Sequence, residues 1–229
     1  STATGTRGPL ARRAGARRGV CDNRAMKLRR LLPLLLLTSL AGALAGGLLA
    51  RMLTQRAVVL QGGSALPRPR TLAHFTLTDT AGRSLDNGAL RGHATLLYFG
   101  FTACPDVCPA TLATLRELRA AGPPAGLQVW FVTVDPQRDT PAALAQYLAA
   151  FSPDFVGLRA APGALAPLLH ELGAYAEQRA LPAGQYGMDH SSTLYLLDGR
   201  ARLVAVFTPP FTAAVLGADL RSLARATLL

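Results

Sequence analysis

Three cysteines, one tryptophan and an aromatic content of 6% are all that 229 residues provide, so the chain is not a small disulfide-stapled scaffold. Charge is scarce too. Charged residues make up 16% of the chain and hydrophobic ones 50%, which excludes a disordered acidic protein and leaves apolar surface enough for a buried core. At this length one folded domain is the default. Acidic residues are in deficit, thirteen against 24 Lys and Arg, for a net charge of +11. Such an excess suggests nucleic acid until its location is read. Residues 1–30 hold nine Lys/Arg and a single acid, Asp22, a net +8; from Thr71 onward eleven Lys/Arg face twelve Asp/Glu, a net −1. The part able to fold has no basic footprint, and no nucleic-acid partner is expected.

The basic start precedes residues 31–50, which carry no charge. At about 1.5 Å per residue this run matches the roughly 30 Å hydrocarbon layer of a bilayer. It is expected to be a single transmembrane anchor. Basic residues crowd its N-terminal side, which keeps that side cytoplasmic and puts everything after Arg51 across the membrane, in the periplasm of a bacterial cell. A buried core helix fits the flanking charges poorly. A cleavable signal peptide is the closer rival, because Ala43-Leu44-Ala45 is an A-x-A pattern, but the apolar run continues through Leu49. Residues 1–30 read as a basic, unstructured cytoplasmic terminus, with Met26 as the expected natural start of translation. Residues 51–71, rich in Gly, Pro and Arg, read as a tether to a domain over 72–229.

Within that domain strands and helices alternate. Phe75, Leu77 and Leu85 flank a turn at residues 79–82, predicting a short hairpin. Residues 94–100 (ATLLYFG) and 127–134 (LQVWFVTV) are apolar runs of buried-strand length. Leu112, Leu115 and Leu118 mark a helix between them, and Pro141 opens a second over 141–150. A short strand at 155–158, a helix over 163–178 and a loop over 181–189 are expected next. Strands at 193–197 and 203–207 flank the hairpin signal Asp198-Gly199, and a helix closes at 213–226. The order predicts an α/β domain, a mixed sheet flanked by helices in the thioredoxin-like arrangement, with one insertion before the last hairpin.

The chemistry concentrates where the first long strand ends, in the loop from Phe101 to Pro109. In parallel α/β units such loops bind ligands. Cys104 and Cys108 stand there four positions apart, able to form a disulfide or to clamp one metal ion. With Pro109 at the first helical position, Cys108 is expected at the helix cap, where backbone N–H groups help both sulfurs to ionise. Two inert core cysteines are the plainer alternative, but not an obvious one in a proline-flanked loop. Cys21 lies on the other side of the apolar run and is no partner. Soft thiolates select Cu(I) or zinc, usually with an imidazole. His74, His93 and His170 read as structural or solvated. His190, in the loop before an inner strand, is expected to face the cysteines. Met188 reads as filler rather than a thioether ligand.

Three stretches now come together: YFGFTACPDVCP at 98–109, VDPQRDTP at 134–141 and DHSSTLYLLD at 189–198. Over residues 72–225 the chain resembles the Sco/SenC family of copper-handling proteins. The resemblance implies Cu(I) held by Cys104, Cys108 and His190, with Cu(II) as a further state, and delivery to the CuA site of cytochrome c oxidase subunit II. It also implies a possible role for Cys104 and Cys108 as the redox pair of a thiol-disulfide reductase acting on that subunit. Met188 and His93 depart from the family pattern without touching the ligand set. Asp135, Arg138 and Asp139 read as a strand-to-helix turn, with Asp139 or Thr140 as N-cap, and Asp106 and Asp189 as hydrogen-bond partners of the site. An upstream copper donor and a periplasmic thioredoxin-like reductant are expected partners, since thiols in that compartment tend toward disulfide. A peroxide-reducing enzyme is disfavoured, because Phe101 stands where that chemistry wants Thr or Ser.

Overall fold

The computed structural model describes Pro33 and residues 37–47, 58–226 and 228–229. The chain divides into two compact units, 1–56 and 57–229. In the first, residues 37–47 are helical. Among the described residues no helix is long and apolar enough to cross a membrane. The remainder of the expected anchor, the basic terminus, Cys21 and Met26 lie outside the described residues.

The second unit is built on an eight-stranded mixed sheet. Its strands are β1 (Ser64–Thr71), β2 (Thr76–Asp79), β3 (Ser84–Asp86), β4 (Thr95–Gly100), β5 (Gln128–Thr133), β6 (Phe155–Arg159), β9 (Leu194–Leu197) and β10 (Arg202–Phe207). They lie in the order β1-β10-β9-β4-β5-β6-β2-β3. The centre, β4-β5-β6, is parallel, and every other pairing is antiparallel. Every residue of β4 and β9 is buried, so both faces of the sheet are covered there. That is why these strands read as unbroken apolar runs rather than alternating ones.

Four helices complete the unit: α1 (Val107–Ala120), α2 (Pro141–Ala149), α3 (Leu165–Leu172) and α4 (Ala213–Arg225). Leu112, Leu115 and Leu118 bury one side of α1, which packs on α4. The Thr140 hydroxyl caps α2 by accepting from the Ala143 N–H at 3.2 Å, and Pro141 follows at the first position, where its missing N–H costs nothing. Helix α2 lies on β6 across Gly157, where a Cβ would come within 2.8 Å of Leu148.

Three expectations need correction. The helix expected over 163–178 stops at Leu172, because Gly173 adopts φ +67°, a left-handed cap that ends helices. The chain then forms β7 (Ala176–Ala180), and of the expected loop 181–189 residues 181–185 are a turn while the remainder belongs to β8 (Tyr186–His190). These two pair only with each other, as a separate two-stranded sheet. Their polar sequence offered no apolar alternation because little of the hairpin is buried. Finally, residues 64–71 of the expected tether are strand β1. Its prolines, Pro67 and Pro69, are tolerated because β1 is an edge strand whose pairing with β10 is interrupted between Ala65 and Arg70. Just upstream, the buried carboxylate of Asp219 on α4 accepts from the Gln61 and Gly62 N–H groups, both at 2.8 Å. Strand β1 enters the sheet opposite Val206, next to the row in which Phe207, Leu194 and Tyr98 lie side by side across β10, β9 and β4.

Candidate metal centre

Strand β4 delivers the chain to the site through Gly100, where a Cβ would lie 2.8 Å from the Phe131 ring and 3.0 Å from Cys108 Sγ. Only glycine lets the sulfur approach the strand. Helix α1 begins two residues earlier than expected, with Asp106 as its N-cap residue, so Cys108 and Pro109 are its second and third positions. The Asp106 side chain makes no capping bond. Instead the Cys108 N–H donates to Cys104 Sγ at 3.4 Å, so that one sulfur satisfies an orphan donor at the helix start. From β4, the Tyr98 hydroxyl donates to Cys108 Sγ at 3.6 Å.

His190 reaches the same place from the end of β8. Its Nε2 lies 3.4 Å from Cys108 Sγ, and its Nδ1 lies 2.9 Å from the carbonyl oxygen of Ser191. A carbonyl can only accept, so Nδ1 carries the proton. Burial holds the imidazole pKa below its usual value, against a weaker upward pull from the Ser191 carbonyl. The ring is therefore neutral near pH 7, and Nε2 offers its lone pair toward the sulfur. The rings of Phe101, at 5.6 Å and 89°, and Tyr98, at 6.3 Å and 71°, wall the imidazole edge-on. Cys104 Sγ, Cys108 Sγ and a nitrogen of His190 all fall within 4.8 Å of one another, and no other such group occurs among the described residues.

The expected ease of ionisation does not hold for Cys108. It is fully buried, and burial pushes its thiol up to about 12, against smaller downward pulls from the Phe101 backbone and the Tyr98 hydroxyl. Desolvation outweighs the helix N-terminus, and without a cation this sulfur is a thiol at neutral pH.

The second motif holds these parts in place. Asp139 is not the cap of α2 but a fully buried carboxylate. It accepts from Thr102 Oγ1 at 2.6 Å, from the Thr102 N–H at 3.1 Å and from Thr133 Oγ1 at 2.5 Å, tying the cysteine loop to the end of β5. Asp135 is ion-paired with Arg138 and accepts from the Tyr186 hydroxyl at 2.9 Å. Sequence reasoning passed over Tyr98, Thr102 and Tyr186. The signals were the even spacing of Tyr98 from Gly100 and of Tyr186 from His190, which put each pair on one side of a strand.

Other candidates stand apart. His74, His93 and His170 are exposed, Asp189 pairs with Arg179 at 3.2 Å, and neither Asp106 nor Asp189 bonds to a sulfur or to the imidazole. Met188 packs as filler against the core. Cys104 and His190 nevertheless open onto a groove of about 490 Å³, bordered by Val107, Tyr175 and Met188. Val107 and Tyr175 are exposed apolar side chains at its rim.

The SCO1/SenC family model matches residues 64–225. The mitochondrial protein SCO2 homolog of Bos taurus is 38% identical over 172 residues, which are 72% of this chain and 65% of the bovine protein, so the chain spans just under two thirds of that relative. The copper-bound structure of Bradyrhizobium japonicum ScoI is 38% identical with a TM-score of 0.60, over 66% of this chain and 98% of ScoI. The apo Sco1 structure of Thermus thermophilus is 34% identical with a TM-score of 0.63, over 70% of this chain and 95% of that protein. The mixed sheet with its flanking helices is the thioredoxin-like fold of these proteins. A match over most of the chain, carried by the same strands and loops that bring two sulfurs and an imidazole together, makes this protein a member of the SCO1/SenC family.

Proposed function

We propose that the chain is a membrane-anchored copper metallochaperone that takes up Cu(I) on Cys104, Cys108 and His190 and delivers it to the CuA site of cytochrome c oxidase subunit II. The observation that carries this reading is the setting of His190, whose Nδ1 is committed to the Ser191 carbonyl while its free Nε2 faces Cys108 Sγ. Two sulfurs and one neutral nitrogen form a soft, low-coordinate donor set that suits monovalent copper. Structural zinc calls for a fourth protein ligand, and none joins the group among the described residues. The relative from Bradyrhizobium japonicum binds copper, which supports the same cargo here. Because Cys104 and His190 face an open groove, thiols of an acceptor can approach the ion and displace its ligands in turn.

In this reading residues 31–50 hold the domain at the periplasmic face of the bacterial inner membrane. A thioredoxin-like partner reduces Cys104 and Cys108 before an upstream donor loads them. One observation favours a second activity. Cys104 lines the groove while Cys108 is sealed beneath it, the asymmetry of an attacking and a resolving thiol. Cys104 would attack an acceptor disulfide to give a mixed disulfide, and Cys108 would displace the acceptor as a dithiol, leaving a Cys104–Cys108 disulfide.

Metal analysis of the reduced full chain tests the main reading. One copper per chain is expected, lost in Cys104→Ser and held at least tenfold more weakly in His190→Ala. Undiminished copper in His190→Ala would remove the imidazole from the ligand set, and parent protein that binds no copper while reducing an acceptor disulfide would leave only the reductase.

A further inference from the structure

Strand β8 carries His190, yet it belongs to a two-stranded sheet that shares no ladder with the eight-stranded one. An isolated hairpin is marginal in water, so its position must be set by other contacts. Among the described residues, the hydrogen bonds from β8 to the rest of the domain beyond the hairpin and its base come from its two ends. One end is His190 itself, against Cys108. The other is Tyr186, whose hydroxyl donates to Asp135 at 2.9 Å and whose carbonyl accepts from Arg138 at 3.0 Å. The Arg138 guanidinium lies 4.0 Å from the centroid of the Tyr186 ring, a stacked cation–π contact, and is ion-paired with Asp135. It also lies 5.8 Å from the centroid of Phe101, the ring that meets His190 edge-on at 5.6 Å.

We infer that Arg138, Tyr186 and Asp135 form a latch that sets the imidazole against the sulfurs, and that opening it releases His190 from copper while both cysteines keep hold. The inference rests on the copper reading above and assigns these three as positioning residues, since none touches the site's donor atoms. Tyr186 and His190 lie on one side of the same strand, about 13 Å apart at the usual rise per residue. Seating one end aims the other. The turn that precedes Tyr186, where Ala183 and Gly184 adopt φ +59° and +72°, is exposed. The latch thus couples the Cys loop, the loop after β5 and strand β8, the three sequence motifs of the chain.

The test uses the full, reduced, Cu(I)-loaded chain, with release followed by a chromogenic Cu(I) chelator. Tyr186→Phe deletes one oxygen and keeps the ring; Arg138→Met deletes the stack, the ion pair and the carbonyl bond. Release is expected to accelerate about threefold in Tyr186→Phe and at least tenfold in Arg138→Met, approaching His190→Ala. Arg138→Lys, which keeps the charge without the planar stack, should restore only part of the loss. The imidazole contribution to the copper X-ray absorption fine structure should weaken in Arg138→Met, while the reduction potential of the Cys104/Cys108 pair stays at the parent value. Parent-like release in Tyr186→Phe and Arg138→Met beside fast release in His190→Ala would overturn the latch. Parent-like release in His190→Ala would overturn the ligand set and the latch with it. Should Arg138→Met fail to fold, parent-like release in Tyr186→Phe suffices to overturn the proposal.

Discussion

Cys108 is fully buried and yet must become an anion to hold a metal ion. With its thiol pushed up to about 12 by desolvation, the metal-free sulfur keeps its proton, and copper binding has to expel it. Apparent Cu(I) affinity should therefore keep climbing, by about tenfold per pH unit for this one proton, between pH 8 and 10, where an unperturbed thiol would already level off. Competition with a chelator across that range checks this, and a plateau by pH 9 would contradict it. The imidazole works in the opposite direction on stability. Its folded-state pKa is held below 6.5, so at neutral pH and above it contributes no pH dependence; as pH falls through 6.5 the unfolded chain takes up a proton that the fold resists. Denaturation midpoints of the metal-free protein should decline on that side, and less so in His190→Asn. Gly100 is the third constraint at this scale. Gly100→Ala places a methyl against the Phe131 ring and Cys108 Sγ, and should cost about 1–3 kcal/mol by denaturant unfolding, together with weaker copper binding.

The three motifs were legible in the sequence because each breaks a pattern. Cysteines in a proline-flanked loop, a strand-to-helix turn and a histidine before an inner strand all stand out from apolar runs. What was not legible was the element that carries His190, because β7 is mostly exposed, β8 is only half-buried, and the two pair only with each other. Neither hydrophobic period could mark them. The role of Asp139 was hidden for a related reason. A carboxylate ahead of a Thr-Pro helix start reads as a cap, and only the fold brings Thr102 and Thr133 to it. Asp139→Ala would leave the Thr102 N–H and two hydroxyls without their partner, at a cost of about 3 kcal/mol, whereas Thr140→Ala removes a cap bond worth about 1 kcal/mol. Only the first should also weaken copper binding, because only Asp139 anchors the cysteine loop. Paired unfolding and chelator-competition measurements on the two variants distinguish the roles, and equal copper binding in both would reduce Asp139 to a scaffold residue.

The folded unit begins earlier than its composition suggests, since Gly- and Pro-rich sequence over 61–71 looks like tether and is in fact docked. The carboxylate of Asp219 clasps the Gln61 and Gly62 amides, and β1 continues along β10. In Asp219→Ala those two amides should exchange with solvent at least tenfold faster, with copper affinity unchanged; unaltered protection would mean that β1 alone holds the segment. The first residues of β1 lie next to the transverse row that contains Tyr98, three strands across from β4, the strand that leads into the cysteine loop, whereas Leu228 and Leu229 sit beside the Asp198–Arg202 turn at the opposite end of the sheet. Cargo appended behind Leu229 will therefore trail from the end of the sheet that lies away from Cys104 and Cys108. A fluorescent reporter or purification handle placed there should hinder neither handover to a bulky recipient nor release to a small chelator.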